Sequence, residues 1–196
     1  MKKYTLLALI TLISNSALGA PYQVDVSHTE VGFSVRHLMV SNTKGVFRTF
    51  RGALDFDEAK GTAQNIDVEI QVASIDTRDA KRDEHLKSPD FFDAAKYPLI
   101  TFKADSASVR ENKPVTVRGL LTIRGISKPI TAEVTYAGKK TDPFGVTHSG
   151  FGLSAKINRK DFGVSWNKAL DQGGVAVGEQ VDIEISGEIV PQIGQK

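Results

Sequence analysis

The chain has 196 residues, with 25 Lys and Arg against 23 Asp and Glu, and so a formal net charge of +2. This length suggests one domain, and 40% hydrophobic with 24% charged residues is typical of a globular chain that buries a core. Nearly balanced charge argues against nucleic-acid binding, which needs a clustered cationic excess. Because the chain contains no Cys, disulfides, thiolate metal sites, a cysteine nucleophile and a cysteine-linked lipid are excluded.

Residues 1–20 have the pattern of a secretory signal peptide. Lys2 and Lys3 precede a mostly apolar run over residues 6–13, which is shorter than the about 20 residues of a membrane-spanning helix. We expect cleavage after Gly19 or Ala20. The segment holds two Lys and no Asp or Glu, so the remaining chain carries 25 − 2 = 23 basic residues against 23 acidic ones. The sequence thus predicts a neutral, periplasmic protein, with residues 21–196 forming one domain and no integral membrane segment.

Most of the expected mature chain alternates apolar and polar residues, which is the period of a β-strand with one buried face. Turn-forming residues separate the runs. Short strands joined by turns predict an all-β protein, and one-sided alternation in every strand favours a closed antiparallel barrel of about eight strands. The alternating runs, in chain order, cover residues 31–36, 50–56, 66–72, 100–102, 115–124, 130–136, 151–157 and 181–189.

Two segments lack this alternation. Over residues 76–95, β-branched residues give way to Asp, Lys, Arg, Ala and Leu, which predicts a short helical insertion at about 77–95. We expect Asp76 or Thr77 to cap a helix that ends near Lys87. The apolar residues of the insertion would either plug one end of the barrel or act as a lid: Leu86, Phe91 and Phe92. Residues 160–178 form a long irregular segment, which is either a rim or gate or a plain loop.

The sequence shows no motif for catalysis or metal binding. It has no GxSxG motif, and its DFG tripeptide and glycine-rich residues 173–178 lack the elements that would accompany them in a kinase or phosphate site. The histidines form no helical HxxxH pair and have no zinc-ligand spacing, although distant strands could bring two together: His28, His37, His85 and His148. We therefore predict no catalytic residues, no metal site and no cofactor.

The predicted inner face of the barrel consists almost entirely of Val, Ile, Leu and Phe. A barrel of this size is either filled by its own side chains or holds one ligand. An apolar cavity would favour an apolar chain, since each buried methylene contributes about 0.8 kcal/mol. His37 and Trp166 are candidates for contact with a polar head group at the rim. The alternation predicts the following cavity-lining residues: Phe33, Val35, Phe50, Leu54, Phe56, Val68, Ile70, Ile100, Phe102, Leu121, Ile123, Phe151 and Ile183.

Four segments resemble the signatures of the YceI-like family, in order along the whole expected mature chain. The resemblance implies a lipocalin-like antiparallel barrel that binds polyisoprenoids, such as polyprenyl chains or quinone tails, or similar long amphiphiles. It also implies a periplasmic or secreted, non-enzymatic protein that often forms a homodimer. The segments are Asp25-x-Ser27-His28-Thr29-x-Val31-Gly32-Phe33, Arg82-Asp83-x-His85-Leu86-x-Ser88-x-Asp90-Phe91-Phe92, Gly119-x-Leu121-Thr122-Ile123-x-Gly125 and Asn158-Arg159-x-Asp161-Phe162-Gly163.

Two alternatives to a lipid carrier remain open from the sequence. One is an enzyme that acts on a lipid inside the barrel, which would need a buried carboxylate–histidine pair such as Glu30 with His37. The other is a stress-related structural protein whose barrel is filled by its own side chains.

Overall fold

The computed structural model describes residues 19–171 and 173–192, so the predicted signal peptide lies almost wholly outside the described residues. The described chain contains one α-helix, α1 (Ala80–Lys87), and ten strands. The strands are β1 (Ala20–His37), β2 (Ser41–Phe47), β3 (Phe50–Asp57), β4 (Thr62–Gln71), β5 (Ile75–Asp76), β6 (Leu99–Ser108), β7 (Val115–Ile123), β8 (Ile126–Thr141), β9 (Thr147–Asn158) and β10 (Val177–Pro191).

Eight of these strands form a closed antiparallel barrel, which confirms the predicted fold class. They neighbour one another in the order β1, β3, β4, β6, β7, β8, β9 and β10, and β10 pairs with β1 to close the wall. Closure leaves the barrel wall without a free edge. The insertion predicted near residues 77–95 is also present, between β5 and β6.

Two short strands, β2 and β5, add to the sheet beyond the eight strands that close the barrel. The second half of β1 pairs with β2, which in turn pairs with β5. The alternation did not predict them, because β2 contains just two large apolar residues, Val46 and Phe47, and β5 is two residues long.

The two ends of the barrel carry different connections. We call the end where β1 finishes and β3 begins the insertion end, and residues 72–98 and 159–176 connect strands there. The opposite end, with turns at residues 58–61, 109–114 and 142–146, is called the polar end. Each end has its own cluster of buried side chains, with Val72 and Phe162 at the insertion end and Tyr22 and Phe56 at the polar end.

Helix α1 begins two to three residues later than a cap at Thr77 or Asp76 would place it, so that part of the prediction was wrong. Its N-cap is Asp79, whose carboxylate accepts two backbone N–H groups of the first turn at 3.0 and 3.1 Å. Asp76 instead belongs to β5, and Thr77 is buried with its hydroxyl donating to Asp83. Among the described residues, no helix is both long enough and apolar enough to cross a membrane.

Candidate ligand-binding cavity

An apolar cavity of about 300 Å³ lies inside the barrel. All eight barrel strands contribute to its wall, and β2 adds Phe47. The lining is almost entirely hydrocarbon, with polar side chains contributed by Thr29, Tyr136 and Arg159. Its volume is at the lower end of the roughly 300–1,000 Å³ of small-molecule sites. The structural-protein alternative requires a barrel that is filled by its own side chains. The cavity shows that this barrel is not filled.

The residues predicted from the alternation all lie on the wall of this cavity. They reach it because successive side chains of a strand point to opposite faces, and one face of every barrel strand turns inward. Their contact with a bound ligand stays a prediction. The set is Phe33, Val35, Phe50, Leu54, Phe56, Val68, Ile70, Ile100, Phe102, Leu121, Ile123, Phe151 and Ile183.

Two glycines at inward positions give large neighbours room in the wall. A Cβ at Gly119 would overlap with the ring of Phe102, so the glycine allows this ring to pack against the backbone of β7. A Cβ at Gly52 would lie 2.5 Å from a methyl group of Val24, which is closer than carbon atoms approach. Both glycines thus shape the cavity through their lack of a side chain.

The insertion closes one end of the cavity with apolar side chains that strand periodicity could not identify. Leu86, Phe91 and Phe92 belong to the lining, and Phe92 packs against Phe47 with 6.1 Å between ring centroids. They lie on α1 and the turns after it, where the period of two does not apply. These side chains plug the insertion end, and their action as a lid stays a prediction.

Trp166 holds the loop after β9 against this plug. Its ring lies 5.0 Å from that of His85 and 5.2 Å from that of Phe91. The cavity lining does not include Trp166, nor does it include His37, which is exposed at the end of β1. Both residues thus lie outside the cavity wall, and their contact with a head group at the rim stays a prediction.

Arg159 holds the same loop through hydrogen bonds to its backbone and to the start of β10. Its guanidinium is buried and donates hydrogen bonds to the carbonyl oxygens of Val164 (2.6 Å), Gly178 (2.8 Å) and Val177 (3.3 Å). Burial lowers the pKa of Arg159 because the charged form loses hydration. Since the cavity has almost no polar surface, the guanidinium serves the loop and not the cavity.

The polar end closes with aromatic rings and an ion pair. The ring of Phe56 lies 5.6 Å from that of Tyr22 and 5.7 Å from that of Tyr136. The Tyr22 hydroxyl donates to Glu58 at 2.6 Å, and Glu58 also pairs with Lys139. Burial and the neighbouring carboxylate both raise the pKa of Tyr22. Burial alone would raise the pKa of Glu58, but hydrogen bonds from Lys139 and Tyr22 outweigh it and leave this pKa below its ordinary value.

A polar depression adjoins the cavity at this end. Val109 and Tyr136 line both spaces, and the depression is also lined by Glu58, Arg110 and Lys139. The apolar cavity and a region of charged side chains therefore share part of their walls at the polar end.

The pair suggested for a lipid-modifying enzyme is not formed. Glu30 and His37 lie seven residues apart on β1, which is roughly 23 Å along a strand. Both side chains are exposed, and neither lines the cavity. The suggestion was wrong because residues that share a strand are held apart by its extended backbone.

A closed eight-stranded antiparallel barrel around an internal cavity is the architecture of lipocalin-like proteins. The YceI-like domain model matches residues 22–189, and the chain belongs to this family. It is 36% identical to Protein YceI of Escherichia coli O157:H7 over 187 residues, covering 94% of each chain.

Solved structures have the same fold. The crystal structure of the Campylobacter jejuni YCEI protein matches with a TM-score of 0.68 and 32% identity, covering 98% of this chain and 99% of that one. A polyisoprenoid binding domain from Saccharophagus degradans matches with a TM-score of 0.63 over 87% of this chain and 97% of that one. At 13% identity, the second likeness shows the fold alone.

Proposed function

We propose that the protein is an exported, non-enzymatic carrier that holds a polyisoprenoid, of polyprenyl or quinone type, or a similar long amphiphile in the barrel cavity. The observation that carries this proposal is a cavity of about 300 Å³ whose wall is almost entirely hydrocarbon. Such a wall offers a ligand few hydrogen bonds and therefore selects for apolar surface. No resident cofactor is part of the proposal.

The energetics of the cavity favour an occupant. An empty apolar space has a free-energy cost, because the side chains around it lack the van der Waals contacts that an occupant would supply. An alkyl or prenyl chain removes part of this cost and adds about 0.8 kcal/mol for each methylene withdrawn from water. A long chain can thus bind without a charged anchor.

The polar end is the place for the head group of an amphiphile. Apolar side chains plug the insertion end, whereas Tyr136 lines both the cavity and the depression that contains Glu58 and Lys139. A hydroxyl, phosphate or quinone carbonyl would be desolvated without compensation among the phenylalanines of the plug. At the polar end it would meet hydrogen-bonding side chains and water.

The comparisons support the ligand class. The Saccharophagus degradans domain that shares this fold is described as polyisoprenoid binding. We propose the same ligand class for this protein, because its barrel has the same architecture and encloses an apolar cavity.

Binding without catalysis agrees with the chemistry of the wall. Among the described lining residues, Tyr136 and Arg159 are the titratable ones, and the Arg159 guanidinium is engaged with three backbone carbonyls. General acid–base chemistry requires a titratable group within hydrogen-bond reach of the reacting atom. An apolar wall instead suits retention of an unmodified ligand.

The proposed carrier role includes export to the periplasm, which is supported by the signal-peptide pattern of residues 1–20. A water-soluble barrel would shield the hydrocarbon part of its ligand in that aqueous compartment. A homodimer stays a prediction, and light scattering on the purified protein measures it directly.

The proposal is tested by measuring lipid uptake of the delipidated protein and of two variants. Each variant introduces one glutamate on β6. Phe102→Glu places a carboxylate on the cavity wall, whereas Ser106→Glu places one at an exposed position of β6. We expect the Ser106 variant to take up a polyprenol or ubiquinone like the wild type and the folded Phe102 variant to take up none. Equal uptake by both variants would contradict a ligand in the cavity.

A further inference from the structure

Two histidines and two carboxylates meet on the outside of the barrel near the polar end. His28 Nδ1 lies 2.8 Å from Asp25 Oδ2, and His148 Nδ1 lies 2.8 Å from Glu188 Oε2. The cross distances are also short, at 3.9 Å from His28 to Glu188 and 3.9 Å from His148 to Asp25. One ligand atom from each of the four residues lies within 4.8 Å of all the others. We call these four residues the His–carboxylate cluster.

A bulge in β1 brings His28 over β10, next to Asp25, which is still paired with Glu188 in the regular ladder. The pairing of β1 with β10 shifts register between Asp25 and Glu30, so the residues between them leave the regular ladder. The Thr29 hydroxyl accepts the backbone N–H of Glu188 at 3.2 Å and fastens the bulge. Any Cβ at Gly187 would overlap with the Thr29 side chain, so the close approach of the bulge requires glycine there.

Hydrogen bonds orient the ligand groups from outside the cluster. The backbone N–H and the hydroxyl of Ser27 donate to Asp25 Oδ1 at 2.9 and 2.6 Å, leaving Oδ2 for the cluster. His148 directs Nδ1 into the cluster while its Nε2 lies 3.4 Å from Asp142. Asp142 is itself held by backbone N–H groups of its turn at 2.8 and 2.9 Å. A metal-ligating histidine typically has such a carboxylate on its second ring nitrogen.

The geometry points to a site for one divalent transition-metal ion, and we propose that the His–carboxylate cluster binds Zn²⁺. Two imidazole nitrogens and two carboxylate oxygens form a nitrogen–oxygen ligand set that Zn²⁺ accepts in tetrahedral coordination. Ligand atoms about 2.1 Å from a tetrahedral ion are about 3.4 Å apart. The four His–carboxylate separations, 2.8 to 3.9 Å, lie on either side of that value, and no two ligand atoms are more than 4.8 Å apart, so rotations of these side chains can bring them to one ion.

The charge of the cluster suits a divalent cation. Two carboxylates with two neutral imidazoles supply the two negative charges that Zn²⁺ needs, and the Asp25 and His148 side chains are mostly covered by neighbouring residues. His148 and Glu188 also line the polar depression, so the ion would lie beside the polar end of the barrel. This inference does not depend on the proposed lipid ligand.

The test is a Zn²⁺ titration of the chelator-treated protein without a polyhistidine tag, followed by calorimetry, with Co²⁺ absorption reporting coordination. The test variants are His148→Ala and the double variant His28→Ala with His148→Ala. The control is His85→Ala, which removes the histidine of a single His–carboxylate pair, 2.9 Å from Asp90, at the insertion end.

We expect one Zn²⁺ per chain in the wild type and in the His85 variant, with the intense visible absorption of tetrahedral Co²⁺. His148→Ala should weaken Zn²⁺ binding by at least about 100-fold and remove that absorption, since ligand loss exceeds the 10–100-fold effect of losing an outer partner. Equal Zn²⁺ binding by the wild type and the double variant would overturn the site, as would an equal loss in the His85 variant. Circular dichroism confirms that each variant is folded.

Discussion

The two ends of the barrel are closed by different kinds of interaction. At the insertion end, Phe91 and Phe92 plug the cavity, and Trp166 packs over them. At the polar end, aromatic rings are followed by Glu58 and its partner Lys139. Apolar packing loses its stabilisation when the contact opens, whereas charged groups exchange their partners for water at little cost. In the function proposed above, this difference places the hydrocarbon of the ligand against the insertion end and its polar group at the polar end.

The largest expected effect comes from a phenylalanine at the insertion end. Phe162 is 1% exposed, and Phe162→Ala should lower the free energy of unfolding by about 3–5 kcal/mol because it removes a buried ring and leaves a void. The matched control is Phe144→Ala in a turn at the polar end, where the ring is 90% exposed and the change should stay within about 0.5 kcal/mol. Urea unfolding measures both. Similar losses in the two variants would contradict burial of the ring as the source of the effect.

The next effect concerns the loop that covers the insertion end. Arg159→Met should cost about 2–3 kcal/mol, because the carbonyl oxygens of Val164, Val177 and Gly178 lose a buried charged donor. Arg51→Met removes an exposed arginine that pairs with Glu69 and serves as the control. Urea unfolding and proteolysis between residues 163 and 176 report the outcome. Unchanged stability of the Arg159 variant would show that the loop is held by other contacts.

A smaller effect is expected at the start of α1. Asp79→Ala removes the side chain that caps the first turn and should cost about 1 kcal/mol. Asp79→Asn keeps an acceptor oxygen and should retain most of the stability. Comparing the unfolding midpoints of the two variants measures the cap. An equal loss in the two variants would assign the effect to charge and not to capping, because both substitutions remove the charge.

The smallest expected effect lies at the polar end and depends on pH. The lowered pKa of Glu58 stabilises the folded state above the ordinary pKa of glutamate, and this contribution is lost as the pH falls through the lowered value. Glu58→Gln should therefore reduce stability at pH 7 by at most about 1 kcal/mol, and the difference from the wild type should shrink towards pH 3. Unfolding curves between pH 3 and 7 measure this. A difference independent of pH would contradict the assigned role.

The barrel and its lining could be predicted because they depend on a local period. For example, the alternation within β6 alone predicts that Phe102 faces the inside of the barrel. The strand β2 was missed because Ser41–Phe47 has few apolar residues and forms by pairing with the overlong β1. The cap at Asp79 was missed because Asp76 and Thr77 have equally suitable side chains. Asp76 is instead part of β5, where it pairs with Val46.

Features that depend on register between distant strands could not be predicted in the same way. His28 and His148 meet because β1 bulges over β10 while β9 lies on the far side of β10. The spacing of His28 and His148 along the sequence does not indicate that they are in contact. Trp166 similarly contacts His85 through the folding of a loop without periodic sequence.

Native mass spectrometry of the protein purified from its own compartment tests the central claim most directly. The account predicts a bound mass in the polyisoprenoid or quinone range, at about one ligand per chain, that is lost on denaturation and regained by the delipidated protein. A protein that carries no lipid mass, and takes up none after delipidation, would contradict the proposed function.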